Sequence, residues 1–282
     1  MERIRKGWEL TKKSWGLLKE NRQLIRFPLY GGVATIFAAL IVLGPGLYLI
    51  EDGSVAAGAP LAIAGFYLLV LIGIYFSVGL AAAADLLFRG ESARVSEGLA
   101  VARSRFSQVA GWAAVSAVVG TLLSLLESEG GAFGQILGRL LDIGWSLITF
   151  LAVPVIAIEG TGPFGTLKRS ASIFRERWGQ QITGNFAIGG AVFLLGFVPG
   201  AILIVGGVLL WASSGFAGAL LVIVGAIVVA VAMLVSRALG GIFGVALYRY
   251  ATEGEAVGGF TADELESAVR RRRGTPPAPT TV

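Results

Sequence analysis

Residues 216–247 read FAGALLVIVGAIVVAVAMLVSRALGGIFGVAL, and Arg237 is the single charged residue among them. An α-helix of about 20 apolar residues is enough to cross a bilayer, because each residue adds about 1.5 Å and the hydrocarbon core is about 30 Å thick. This stretch is long enough to cross that core with room for tilt. It therefore predicts a transmembrane helix.

Five further apolar stretches have the same character. They are residues 27–50, 60–84, 109–126, 136–158 and 186–212. Of the 282 residues, 55% are hydrophobic and 15% are charged, whereas a soluble domain carries about 25% charged residues. The charges that remain are concentrated between the stretches, because charge is costly in hydrocarbon. We therefore predict an all-α, polytopic membrane protein with six transmembrane helices, which occupy a membrane domain of residues 27–250.

Lysine and arginine alternate with these six spans. They are concentrated in residues 1–26, in the second-to-third and fourth-to-fifth connections, and in residues 251–282. The other three connections carry almost none, with Arg139 at the edge of one of them. Because basic loops stay on the cytoplasmic side, this alternation predicts a protein of the cell membrane with both termini in the cytoplasm. The proline-rich end of the tail predicts disorder.

The basic segments also predict amphipathic helices on the cytoplasmic side. Residues 10–25 align with residues 167–182, and weaker copies occur at 96–106 and 261–272. We therefore predict three hairpins, each preceded by such a helix, and a fourth such helix at the C-terminus, as in other repeat-built membrane proteins. The N-terminal helix either lies in the inner leaflet or packs against the bundle, and both interpretations remain open. The candidate contacts to lipid headgroups are Lys12, Lys13, Lys168, Arg169 and Arg175.

Arg237 is the most unusual charge in the sequence. It lies twelve residues before Arg249, which corresponds to about 18 Å of helix and to a position near mid-bilayer if Arg249 marks the interface. A charge at that depth faces protein or water and is usually paired. The candidate partners are Asp85, Asp142 and Glu159, although Asp142 can equally pair with the nearby Arg139. Arg237 is therefore a ligand-contacting group in a cavity, one half of a structural ion pair, or a side chain that snorkels towards the interface.

The composition excludes several kinds of chemistry. The chain has no cysteine and no histidine, which removes disulfides, Cys/His zinc sites and an imidazole general base. It also lacks a phosphate-binding loop, a nucleophile elbow and a dinucleotide fingerprint. We expect no catalytic residue, no metal site and no cofactor. The net charge of +5 is explained by topology and anionic lipid headgroups, so we expect no nucleic-acid partner.

Two short motifs resemble a known group of proteins. They are SWGLLKEN at residues 14–21 and VPVIAIEG at residues 153–160, the latter followed by Leu167-Lys168-Arg169-Ser170 and Trp178. Together they resemble a poorly characterised prokaryotic family of six-helix membrane proteins, and they are similar to the membrane domain attached to some glycerophosphodiester phosphodiesterases. The resemblance implies an architecture. It implies no catalytic residues, because the soluble phosphodiesterase domain is not part of this sequence.

Three functions remain open from the sequence. The leading hypothesis is a non-enzymatic membrane protein that organises anionic lipids or other membrane proteins at the inner leaflet, because basic amphipathic helices recur without a catalytic constellation. The alternative is a small transporter or channel in which Arg237 lines a cavity. A lipid-modifying enzyme is least expected, since histidine is the commonest general base and is absent.

Overall fold

The computed structural model describes residues 13–178, 196–211, 213–262 and 265, and every regular element in them is helical. This confirms the predicted all-α class. The helices are α1 (13–20), α2 (Arg26–Ala38), α3 (Gly44–Glu51), α4 (Val55–Phe88), α5 (Val95–Ser104), α6 (Phe106–Glu129), α7 (Gly131–Thr149), α8 (Ala152–Glu159), α9 (Pro163–Trp178), α10 (Val198–Leu210) and α11 (Gly215–Glu253).

Four helical segments in the described residues are long and apolar enough to cross a membrane. They are Arg22–Glu51, in which a π-helical turn at Ala39–Leu43 joins α2 to α3, together with α4, Phe106–Ser128 of α6, and α11. Large apolar side chains such as Phe37, Leu122 and Ile223 are exposed along them. Exposed apolar surface on this scale fits lipid as the surrounding solvent, so the chain is a membrane protein.

The predicted fourth span, residues 136–158, is broken into two helices. α7 ends at Thr149 and α8 begins at Ala152. A helix end leaves backbone carbonyls without partners, and here the buried Ser170 hydroxyl donates to the carbonyl of Ile148. The predicted fifth span, 186–212, lies partly outside the described residues, and α10 is its described helix. The predicted C-terminal helix and tail lie almost entirely outside them.

Consecutive long helices pack closely through glycine. A Cβ atom on Gly46 of α3 would lie 2.5 Å from the backbone nitrogen of Ala62 in α4. A Cβ on Gly207 of α10 would lie 2.7 Å from the carbonyl oxygen of Gly218 in α11. Glycine thus brings backbones together where dispersion and weak hydrogen bonds replace the hydrophobic effect as the source of stability.

The buried core is concentrated at one end of the bundle. Residues 78–85 of α4 are buried on every side, and so are residues 242–249 of α11. The opposite halves of both helices instead expose apolar side chains, among them Ile63 and Ile227. We call the buried end the basic end; it comprises the starts of α2 and α6, the last turns of α4, α8 and α11, and the packed helices α1, α5 and α9.

Candidate functional site

A buried ion pair joins α4 to α11 at the basic end. Arg249 Nε donates to Asp85 Oδ1 at 2.7 Å, and the two side chains are only 9% and 8% exposed. Arg89 Nη2 lies 2.7 Å from the other carboxylate oxygen of Asp85, and Arg249 Nη1 lies 3.2 Å from Glu253 Oε2. A buried charge is tolerated when it is neutralised and hydrogen-bonded, and both Asp85 and Arg249 meet that condition, with the exposed Arg89 and Glu253 on their outer side.

A second polar cluster joins α8, α9 and α11. Glu159 Oε1 accepts hydrogen bonds from Arg169 Nε at 2.8 Å and from the Tyr248 hydroxyl at 2.6 Å. The hydrogen bond to Glu159 is the largest of the effects that raise the pKa of Arg169 above its ordinary value. Charge-assisted hydrogen bonds of this kind fix the relative positions of the elements that carry them. The cluster therefore ties α9 to the last turns of α11.

Arg105 caps the C-terminal end of α8 with hydrogen bonds. Its Nη1 donates to the carbonyl of Ile156 at 2.5 Å and its Nη2 to the carbonyl of Ile158 at 3.1 Å. These carbonyls belong to the last turn of α8, where the helix stops at Gly160 with φ of +68°. A guanidinium at this position adds donors to the last carbonyls of α8, of which that of Ile156 also accepts from the Gly160 N–H, and it opposes the negative end of the helix dipole. Desolvation lowers the pKa of Arg105, and the charge of Asp85 acts in the opposite direction.

The structure does not bring the four predicted intramembrane polar residues together. Asp85 and Glu159 belong to the two clusters at the basic end and contact other arginines than Arg237. Asp142 is exposed on α7, and no ion pair links it to Arg139 within the described residues. Arg237 is exposed on α11 and has no ion pair with any described residue. The expected pairing of Arg237 with a carboxylate is therefore not found.

Arg237 lines a small pocket instead of a transport-sized cavity. The other lining residues come from α2 and α4 and are Pro28, Gly31, Gly73, Phe76, Ser77 and Leu80. The space measures ≈ 20 Å³, which is room for about one water molecule. The mid-bilayer depth expected for Arg237 stays a prediction. The structure shows that Arg249 is buried inside the basic end and that Arg237 lies beside the start of α2.

The predicted headgroup contacts fall into different environments. Lys168 and Arg175 are exposed on α9, Lys13 is half-buried, and Arg169 is engaged by Glu159. Lys12 lies outside the described residues. The opposite face of α9 is buried through Thr166, Ser170, Ile173 and Phe174. This face of α9 therefore packs against the bundle, and Lys168 and Arg175 lie on its exposed side.

The clusters include residues that the sequence did not single out. Tyr248 and Arg105 were absent from the predicted site, because the carboxylate that Tyr248 contacts and the backbone carbonyls that Arg105 contacts are far away in the sequence. The position of Arg105 immediately before α6 is the signal that could have drawn attention to it, since an arginine at a span boundary is free to reach a neighbouring helix end. Tyr248 gave no such signal within its apolar helix.

The comparisons with known proteins identify a family. The sequence profile of a family of unknown function, DUF6159, matches residues 57–259. The chain belongs to the DUF6159 family. The matched part of this DUF6159 protein runs from α4 through α11 and includes both polar clusters. Comparison with curated proteins and with solved structures found no match. The family agrees with the expected poorly characterised group, and no link to the phosphodiesterase membrane domain is shown.

Proposed function

We propose that this protein organises anionic lipids or partner proteins at the inner leaflet of the cell membrane without catalysing a reaction. The observation that carries the proposal is that two helices at the basic end, α9 and α5, each have one face buried in the bundle and basic residues exposed on the other. α9 buries one face in the bundle, while Lys168 and Arg175 are exposed on its other face. α5 repeats the arrangement, with Gly98 and Ala102 buried and Arg94 and Arg103 exposed.

The polar clusters explain why such a surface would be rigid. Asp85 and Glu159 are occupied by Arg249, Arg89 and Arg169, so these arginines serve the fold. The exposed lysines and arginines on α5 and α9 remain available to anions outside the protein. Each basic residue near an anionic leaflet contributes about 1 kcal/mol of attraction, and several of them on one surface add up to a strong preference.

The proposal includes six spans arranged as three hairpins, with both termini in the cytoplasm. Its support is the convergence at the basic end of the starts of α2 and α6 with the ends of α4, α8 and α11, as an alternating topology requires. The proposed repeat is supported by burial. Ser14 and Leu18 of α1 are buried, and so are Ser170 and Phe174 at the aligned positions of α9.

The proposal is tested by lipid enrichment around the full-length protein. The protein is reconstituted into vesicles of phosphatidylcholine and phosphatidylglycerol and excised with a nanodisc-forming copolymer, and the lipid ratio in the discs is measured. We expect phosphatidylglycerol to be enriched over its bulk fraction, and the double variant Lys168→Gln/Arg175→Gln to lose about half of that enrichment. Arg139→Gln is the control, since it removes an exposed charge from α7 nine residues, or about 14 Å of helix, before Ile148, which contacts Ser170 of α9. Equal lipid ratios in disc and bulk would exclude lipid organisation as the role.

The transporter alternative has less support. A transport path needs a continuous water-accessible route, and the pocket beside Arg237 has room for about one water molecule. A flux assay on proteoliposomes that compares the wild type with Arg237→Leu is the direct test of that alternative. Solute flux that depends on Arg237 would revive it.

A further inference from the structure

The pocket at Arg237 lies where three helices approach one another closely. A Cβ on Gly31 of α2 would lie 3.0 Å from Phe76 of α4, and a Cβ on Gly241 of α11 would lie 2.6 Å from Leu80 of α4. Arg237 is one helical turn from Gly241, on the same helix. The close approach leaves a shallow space with apolar walls from Pro28, Phe76 and Leu80. Arg237 provides the charge at its edge, and none of the lining residues in the described part of the chain is a carboxylate.

The contacts of α2 show where this pocket lies relative to a helix outside the candidate spans. A Cβ on Gly98 of α5 would lie 2.6 Å from the ring of Phe27, and α5 is one of the short basic helices outside the candidate spans. Pro28 and Gly31 follow Phe27 by one and four residues, or about 1.5 and 6 Å along the helix. On α11, large exposed apolar side chains continue as far as Met233, one turn before Arg237. Both helices thus put Arg237 at the edge of the zone in which the bundle exposes large apolar side chains, which we call the apolar band.

We propose that Arg237 binds the phosphate of an anionic phospholipid of the inner leaflet. A guanidinium that is exposed and has no ion-pair partner among the described residues, next to apolar surface, matches a molecule that has a phosphate at one end and acyl chains at the other. Arginine suits phosphate because its planar fork donates two parallel hydrogen bonds. The acyl chains lie along the exposed apolar side chains of α2 and α11, such as Val33 and Met233. The inference rests on the proposed orientation, in which the basic end faces the cytoplasm.

Native mass spectrometry of the delipidated full-length protein in a mild detergent tests this site. The protein is titrated with phosphatidylglycerol, and the dissociation constant of the first bound lipid is measured. We expect Arg237→Gln to weaken that binding about fivefold, which corresponds to the loss of one basic contact. Arg237→Lys keeps the charge and retains most of the affinity, and Arg139→Gln leaves it unchanged. Equal affinities for Arg237→Gln and the wild type would overturn the site.

Two further arms identify the ligand and separate this inference from the proposed function. Inorganic phosphate at millimolar concentration should not displace the lipid, because it lacks acyl chains; displacement would mean a site for a free anion instead. Adding Arg237→Gln to Lys168→Gln/Arg175→Gln should weaken binding of the first lipid about fivefold relative to that double variant, as it does in the wild type. If the double variant loses lipid enrichment in nanodiscs while Arg237→Gln binds the first lipid normally, the Arg237 site is disproved and the proposed function stands.

The depth of Arg237 can be measured independently. The chain has no cysteine, so Arg237→Cys offers a single site for a nitroxide label in the reconstituted protein. We expect a water-soluble paramagnetic reagent to speed the spin relaxation of this label, as it does for a label at the level of the headgroups. A Met233→Cys label should be shielded from the reagent, since it lies one turn deeper. A label at position 237 that responds only to oxygen would put the arginine in the hydrocarbon and contradict the inference.

Discussion

Asp85 and Arg249 are 164 residues apart in the sequence, yet their side chains meet at 2.7 Å in the buried part of the basic end. The contact holds the last turns of α4 against those of α11, which are the two longest helices of the described chain. Arg89 and Glu253 lie on the outer side of the pair and balance its charges. The basic end therefore depends on a four-residue charge network that begins inside the protein and ends at its surface.

Breaking this pair from one side should destabilise the protein strongly. Asp85→Asn leaves the guanidinium of Arg249 buried without its main carboxylate, and the loss of one member of a buried pair typically costs about 3–5 kcal/mol. We expect a correspondingly large fall in the free energy of unfolding, measured by SDS titration of the detergent-solubilised protein. The matched control is Arg89→Gln, whose side chain is 48% exposed and whose loss should cost less than 1 kcal/mol.

A double substitution separates charge burial from packing. Asp85→Leu/Arg249→Met removes both charges and keeps apolar volume in their place, which is often neutral or stabilising for buried pairs. The double variant should therefore be more stable than Asp85→Asn. A double variant that is less stable than either single variant would show that the network acts through specific hydrogen bonds instead.

The hydroxyl of Tyr248 should contribute a smaller and more local share of stability. Tyr248→Phe removes the donor to Glu159 at 2.6 Å and keeps the ring in place. Glu159 retains Arg169, so we expect a loss of about 1 kcal/mol in the same unfolding assay. Tyr48→Phe is the matched control, because Tyr48 is 67% exposed and the change there should have no effect. Equal losses for the two variants would argue against a structural role for the Glu159 cluster.

The sequence predicted some parts of this arrangement better than others. Long apolar stretches identified an all-α membrane protein, because hydrocarbon excludes charged side chains and unpaired backbone groups residue by residue. The partners of Asp85 and Glu159 were not predictable in the same way. Both carboxylates could be expected near span ends, but the choice of Arg249 over Arg237 depends on how far α11 extends past the apolar band, which is a property of the packed bundle. The break between α7 and α8 likewise depends on a distant side chain, Ser170.

Adjacent glycines in α10 should differ sharply in their tolerance of substitution. A Cβ on Gly207 would lie 2.7 Å from the carbonyl oxygen of Gly218, whereas a Cβ on Gly206 would meet nothing within 4 Å. Gly207→Ala therefore forces α10 and α11 apart and should cost about 1–3 kcal/mol, as overpacking does. Gly206→Ala should leave stability unchanged or slightly higher, because alanine has the better helix propensity. Similar unfolding curves for the two variants would contradict the close approach of α10 and α11.

Single cysteines can decide between four and six membrane crossings. The wild type has no cysteine, so each introduced thiol is the only target for a membrane-impermeant maleimide. Ser54→Cys and Glu91→Cys are exposed positions on either side of α4 and report the orientation. We expect the thiol at position 54 to react in intact cells, and the thiol at position 91 to react only after permeabilisation.

Arg175 is the position at which the two topologies differ. If only the four long apolar segments crossed the membrane, everything between α6 and α11 would remain outside, and Arg175→Cys would react in intact cells. With six crossings, this thiol should react only after permeabilisation. The contacts favour the second outcome, because Arg169 of α9 shares Glu159 with Tyr248, and Tyr248 lies in the same last turns of α11 as Arg249. Since α9 cannot touch the inner end of α11 from outside the membrane, labelling of position 175 in intact cells would contradict this contact as well as the six-span topology.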